Sequence, residues 1–227
     1  QIATHQQLPR FFVVTGGAVV GRKFSGWCVA VFGLGEVVGG RALFFSGERG
    51  FASIPGREDE FRASVERAVP YIEATGVRRV HVMAGIHDPD DDAARETYAS
   101  NLRIAAERLQ GFGVDLLVEP INGRDMPGYF MSDFEFAADL IDALAIPNLK
   151  LQFDIYHRQI MHGDVTIGLR TLMPLTAHIQ IASVPSRHEP AGEELNYPFL
   201  FDELDRLGYA GFVGCEYRPR AGTREGL

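Results

Sequence analysis

From about Gly47 onward, two spacings of apolar residues alternate along the chain. Pro55-Gly56-Arg57-Glu58 opens a stretch in which Phe61, Val65, Ala68 and Ile72 recur at steps of three and four. Such steps put all four on one face of an α-helix. Pro70 inside the stretch predicts a kink or a helix in two parts, and Gly76 predicts its end. Consecutive apolar residues follow at Val80–Ala84, Asp115–Val118, Lys150–Phe153, His178–Ile181 and Phe212–Cys215. Runs of this kind suit strands buried on both faces. Between them, helical spacing covers Ala93–Leu109, Asp133–Leu144, the neighbourhood of Val165–Leu172, and Pro198–Leu207.

Strand therefore recurs roughly every 28 to 36 residues, with a helix in each interval. This is the pattern of βα units and a parallel sheet. Five units are visible. Two architectures accommodate them: an α/β barrel of the (β/α)8 TIM type, incomplete or atypical at its N-terminus, or an open doubly wound sheet. At 227 residues the chain is short for such a barrel, which typically takes about 250 and ranges from about 200 upward. The open alternative lacks a GxGxxG turn between strand and helix, so a dinucleotide fold is disfavoured.

Residues 1–46 read differently. They hold eight of the 25 glycines and one acidic residue, Glu36, against Arg10, Arg22, Lys23 and Arg41. Short strands are expected at Phe11–Val14 and Trp27–Phe32, and no helix can be placed. We treat 1–227 as one barrel domain with an atypical leading segment. If that segment leaves strand edges unpaired, association into a homo-oligomer is expected.

Charge narrows the partners. The net charge of −8 argues against nucleic acid, whose phosphates require clustered Lys and Arg. No apolar run is long enough for a membrane helix. Two cysteines, Cys28 and Cys215, form no CxxC pair and build no disulfide framework, so a reducing, cytoplasmic setting is expected.

Chemistry gathers at the strand ends. The last four strands finish on, or carry near their ends, Glu119, Asp154, Gln180 and Glu216. In a parallel barrel those ends converge on one mouth. Three carboxylates there repel one another, and a divalent cation removes the conflict; oxygen donors favour Mg2+ or Mn2+. Taken singly, each residue is as readily a helix cap or a solvated loop residue. Four in register point to a shared site. By contrast, His81 reads as a packed or hydrogen-bonded core histidine, His178 as structural although its spacing puts it on the face of Gln180, His87 and Asp88–Asp92 as a loop and helix start, and Cys215 as a small buried side chain.

The motifs Val118-Glu119-Pro120-Ile121-Asn122, Gln152-Phe153-Asp154-Ile155-Tyr156-His157, His178-Ile179-Gln180-Ile181-Ala182, Arg187-His188-Glu189-Pro190 and Gly214-Cys215-Glu216-Tyr217 together resemble the hydroxypyruvate isomerase and 2-oxo-tetronate isomerase family, over about residues 47–227. The resemblance implies a xylose-isomerase-like barrel with Glu119, Asp154, Gln180 and Glu216 as ligands of Mg2+ or Mn2+. It implies Glu119 and Glu216 as proton donor and acceptor, and His157 and Arg187 as substrate contacts. Gln180 stands where the similar ketose 3-epimerases usually place His. Ser183 and Ser186 stand where family members often have Asp and Gly.

The reaction so implied interconverts a short hydroxy-keto acid and its aldehyde isomer through an enediolate, with Arg187 as partner of the substrate carboxylate. A ketose 3-epimerase acting on a free sugar is the second reading. A non-catalytic relative with an unclosed barrel is the third.

Overall fold

The computed structural model describes residues 49–221 and, ahead of them, the backbone of four short strands. These are β1 (Phe11–Val13), β2 (Val29–Phe32), β3 (Val37–Val38) and β4 (Arg41–Ala42). Two of them fall where short strands are expected. The antiparallel pair β3–β4 is not anticipated by the sequence pattern.

The regular part follows in alternation: α1 (Glu58–Thr75), β5 (Arg79–Val82), α2 (Asp92–Gln110), β6 (Asp115–Val118), α3 (Phe134–Leu144) and β7 (Leu149–Asp154). Then come α4 (Ile155–Met161), α5 (Val165–Leu172), β8 (Thr176–Ile181), α6 (Tyr197–Arg206) and β9 (Val213–Cys215). A single 3-10 turn, Met173–Leu175, leads from α5 into β8.

Seven strands form one parallel sheet in the order β1-β9-β8-β7-β6-β5-β2. β1 docks on β9, so a strand from the start of the chain lies against the last one, as barrel closure requires. β2 covers the other end, against β5. The structure thus favours the barrel over the doubly wound sheet and supplies two strands beyond the five legible units.

Helix boundaries follow local chemistry. Asp91 caps α2 by accepting from the Ala93 amide at 2.9 Å, and Asp133 caps α3 by accepting from Phe136 at 2.7 Å. Gly76 ends α1 with a left-handed φ of 66°. Pro70 does not divide α1, contrary to the expected two-part helix. It lies on the exposed face, where the Glu66 carbonyl it deprives of an amide can be solvated. Inside, Phe61, Val65, Ala68 and Ile72 are all buried, as their spacing requires.

Two features shape the mouth near β5. Gly50 adopts φ of 92°, and a Cβ there would collide with the Met83 carbonyl, so only glycine lets residues 50–54 lie along the strand end. Ser53 Oγ donates to the Ala84 carbonyl at 3.0 Å, while the Ala84 amide donates to Tyr129 Oη at 2.9 Å. These bonds tie residues 50–54 and the loop after β6, respectively, to the end of β5.

Candidate active site

Glu119 follows the last residue of β6, Asp154 ends β7, Gln180 lies near the end of β8, and Glu216 follows β9. Parallel pairing in register brings Asp154 beside Gln180, and Gln180 beside Gly214 two residues before Glu216. Ligand atoms of Glu119, Asp154 and His157 lie within 4.8 Å of one another, and all three side chains are buried. Glu216 is not in that group. Its Oε2 accepts from Arg187 Nη2 at 3.0 Å, which turns the carboxylate toward the guanidinium.

Two of the acidic ligand candidates, Asp154 and Glu119, each carry a buried oxygen without a partner. Asp154 Oδ1 accepts from the Tyr156 amide at 2.8 Å and so caps α4; its Oδ2 is buried and unbonded. Glu119 Oε1 is likewise buried and unbonded. Unsatisfied buried carboxylate oxygens are costly, and two facing the same space suit a cation. Gln180 differs, since its Oε1 accepts from Gln152 Nε2 at 2.5 Å.

His157 belongs to the cluster by distance but not by tautomer. Its Nδ1 receives the backbone N–H of Asn122 at 3.2 Å and lies 2.6 Å from Asn122 Nδ2. An N–H donor facing Nδ1 requires a lone pair there, so in the neutral ring the proton sits on Nε2. That nitrogen stands 3.7 Å from Asp154 Oδ2. It can donate a hydrogen bond and, carrying its proton, cannot ligate a cation. Burial, and then the charge of Arg187, push its pKa down to about 3, which keeps the ring neutral.

Arg187 spans the mouth. Its Nη1 donates to Asp125 Oδ2 at 3.2 Å, and its guanidinium stacks 4.8 Å from the Tyr156 ring centre. Tyr156 Oη in turn donates to Asp125 Oδ2 at 2.8 Å. The backbone of Arg187 has φ of 56°, and its amide donates to the Ser183 carbonyl at 2.9 Å. Asn122, Asp125 and Tyr156 thus hold the histidine and the arginine. Their roles are not evident from the sequence pattern, although Asn122 and Tyr156 lie in the motifs around Glu119 and Asp154, and Asp125 lies three residues beyond the first.

Electrostatics sharpen the picture. Four carboxylates, Glu119, Asp154, Glu216 and Asp125, act on Arg187 and raise its pKa although burial opposes this. Burial, followed by the charges of Glu216 and Asp154, raises Glu119 well above the usual carboxylate range. Asp154 is raised chiefly by burial. Glu216 is raised as well, by burial first, with Arg187 opposing and Asp154 adding; its side chain nevertheless keeps 41% of its surface open. Among the described residues, negative charge at this mouth exceeds positive. A divalent cation would balance the excess, and the chemistry of the donors is that of a hard, oxygen-seeking ion.

Comparison with known proteins gives this geometry its context. The sequence profile of the xylose isomerase-like TIM barrels matches residues 31–227. A 2-oxo-tetronate isomerase from Cupriavidus necator is 51% identical over 184 residues, covering 80% of this chain and 71% of that protein. The chain belongs to the hydroxypyruvate isomerase family of xylose isomerase-like TIM barrels. A hydroxypyruvate isomerase from Escherichia coli is 41% identical over 185 residues, covering 80% of this chain and 71% of that one. Among solved structures, one described as an AP endonuclease, family 2, from Brucella melitensis superposes with a TM-score of 0.78. It is 48% identical and covers 80% of this chain and 71% of that chain. The protein is accordingly an enzyme of the isomerase class. No helix among the described residues is long and apolar enough to cross a membrane, and Cys215 is a buried free thiol.

Proposed function

We propose that this isomerase interconverts a short hydroxy-keto acid and its aldehyde isomer, hydroxypyruvate and tartronate semialdehyde or a 2-oxo-tetronate pair. The observation that carries the reading is the pair of buried, unbonded carboxylate oxygens on Glu119 and Asp154, residues that each offer a ligand atom to one cluster within 4.8 Å, with both charges acting on Arg187. The names of the Cupriavidus and Escherichia proteins support the substrate class. A reducing, cytoplasmic setting suits the free thiol.

Glu119 and Asp154, with Glu216 and Gln180, would hold Mg2+ or Mn2+. A divalent ion so placed would polarise the substrate carbonyl and stabilise negative charge on oxygen. Glu119 and Glu216 take up and return the proton between neighbouring carbons. Burial raises the proton affinity of both side chains, and a bound cation would oppose that rise and favour the carboxylates, the form that accepts a proton from carbon. Arg187 spends two of its N–H donors on Asp125 and Glu216 and keeps others for a substrate carboxylate. His157 donates Nε2–H toward substrate oxygen. Tyr156 and Asp125 hold the guanidinium flat.

The DNA-repair activity that the Brucella protein's description suggests is disfavoured by four carboxylates at the mouth and a net charge of −8.

Hydroxypyruvate isomerisation by Glu119→Gln and Glu216→Gln tests the assignment. Each variant should lose at least about 100-fold in turnover, within the range expected for a positioned acid or base. Retention of most activity by either one would refute the acid–base roles.

A further inference from the structure

The interior of the barrel beneath the mouth is unusually polar. Such positions are commonly filled by Val, Ile and Leu, whereas here they include His81, Gln152 and His178, all buried. His81 lies directly across from Leu117 in the β5–β6 register. Strand alternation puts Glu119, two residues further on, on the same face and within reach of a long side chain. The two side chains meet: His81 Nδ1 stands 3.4 Å from Glu119 Oε2, with both almost fully enclosed. The other oxygen, Oε1, has no partner, and neither does His81 Nε2. The charges of Glu216 and Asp154 press on the same carboxylate.

A buried imidazole with an unsatisfied nitrogen is a costly way to fill core volume. An aliphatic side chain would fill the same space without that cost. What the imidazole adds is one N–H, and a carboxylate oxygen beside Nδ1 places the proton on that nitrogen. The two oxygens of Glu119 then become inequivalent.

We propose that His81 is a positioning residue whose Nδ1–H holds Oε2 of Glu119 and so presents Oε1 to the cation and substrate. The proposal rests on the reading of Glu119 as a metal ligand. It gives a specific partner to a histidine that the sequence reads only as packed or hydrogen-bonded in the core. Partners of ligating groups commonly govern affinity or activity by about 10- to 100-fold.

Calorimetric titration with Mn2+ alone tests it, on the parent and on His81→Leu, His81→Asn and Glu119→Ala. Asn carries an N–H donor near the position of Nδ1, and Leu carries none. The expected result is Mn2+ affinity weakened about 10- to 100-fold in the Leu variant and within about threefold of the parent in the Asn variant. Turnover of hydroxypyruvate should follow the same order, with the loss in kcat rather than KM. Parent-like affinity in His81→Leu, with affinity lost in Glu119→Ala, would overturn the role of His81 and leave the metal site standing. Equal losses in Leu and Asn would show a packing role only and would also overturn it. Unchanged affinity in Glu119→Ala would defeat the metal reading itself, and this inference with it. Should the Leu variant not fold, His81→Gln replaces it. Its amide reaches the Nε2 position, so weak binding is expected, and affinity equal to that of the Asn variant would refute the proposal.

Discussion

At the scale of single residues, the assignment that differs most from a distance-based reading is His157. Three ligand-bearing side chains cluster within 4.8 Å, yet the Asn122 amide facing Nδ1 fixes the proton on Nε2. His157→Gln should therefore bind Mn2+ within about threefold of the parent while losing about 10- to 100-fold in turnover, the cost of removing one hydrogen bond to a charged or developing charge. Loss of Mn2+ binding in a calorimetric titration would instead make it a ligand. The sequence exposes Glu119, Asp154, Gln180 and Glu216 because each ends or nearly ends a strand, a position that periodicity can locate. It does not expose Asn122, Asp125 or Tyr156. These act through loop geometry, which carries no period, and through partners as far away in the chain as Arg187, 62 residues from Asp125. Nor does it show that Arg187 holds Glu216.

At the scale of elements, β7 and α4 meet at Asp154, which does two jobs with its two oxygens. Oδ1 caps α4 and Oδ2 stays open. An asparagine keeps an oxygen for the cap and removes a charge from a crowded group, whereas alanine removes both. In EDTA, Asp154→Asn should melt no lower than the parent, while Asp154→Ala should lose about 1 kcal/mol, the usual worth of an N-cap. Both should lose the response to Mn2+. Thermal unfolding by circular dichroism separates the cases; an Asn variant as destabilised as the Ala variant would contradict the cap. α4 is absent from the sequence reading because seven residues, with His157 and Tyr156 turned inward, leave too little apolar periodicity to detect. α1, α2, α3, α5 and α6 are long enough for their buried faces to show, and their bounds fall within a few residues of the expected ones. Pro70 misleads because a proline on the exposed face leaves its orphaned carbonyl to water.

At the scale of the whole molecule, the regular alternation of strand and helix from β5 to β9 makes the barrel legible. The short strands β1 and β2 are locatable as apolar runs, but nothing in their sequence says that one docks on β9 and the other on β5. Partners in a parallel sheet are set by how the layer wraps around the core and not by local composition. The parallel run of β6 to β9 also accounts for the convergence of four carboxylates from different elements at one mouth, where their mutual repulsion is eased by a compensating charge. The account therefore turns on a cation that binds the folded state and not the unfolded chain. Thermal unfolding in EDTA, Mg2+ and Mn2+ measures this directly. At about 100 times Kd, such a ligand stabilises by about 2.7 kcal/mol. At about 2 to 4 °C per kcal/mol for a chain of this size, the midpoint should rise by about 5 to 10 °C in the parent and not at all in Glu119→Ala. A midpoint indifferent to both metals would mean that the strand-end carboxylates hold no ion, and the proposed chemistry would fall with them.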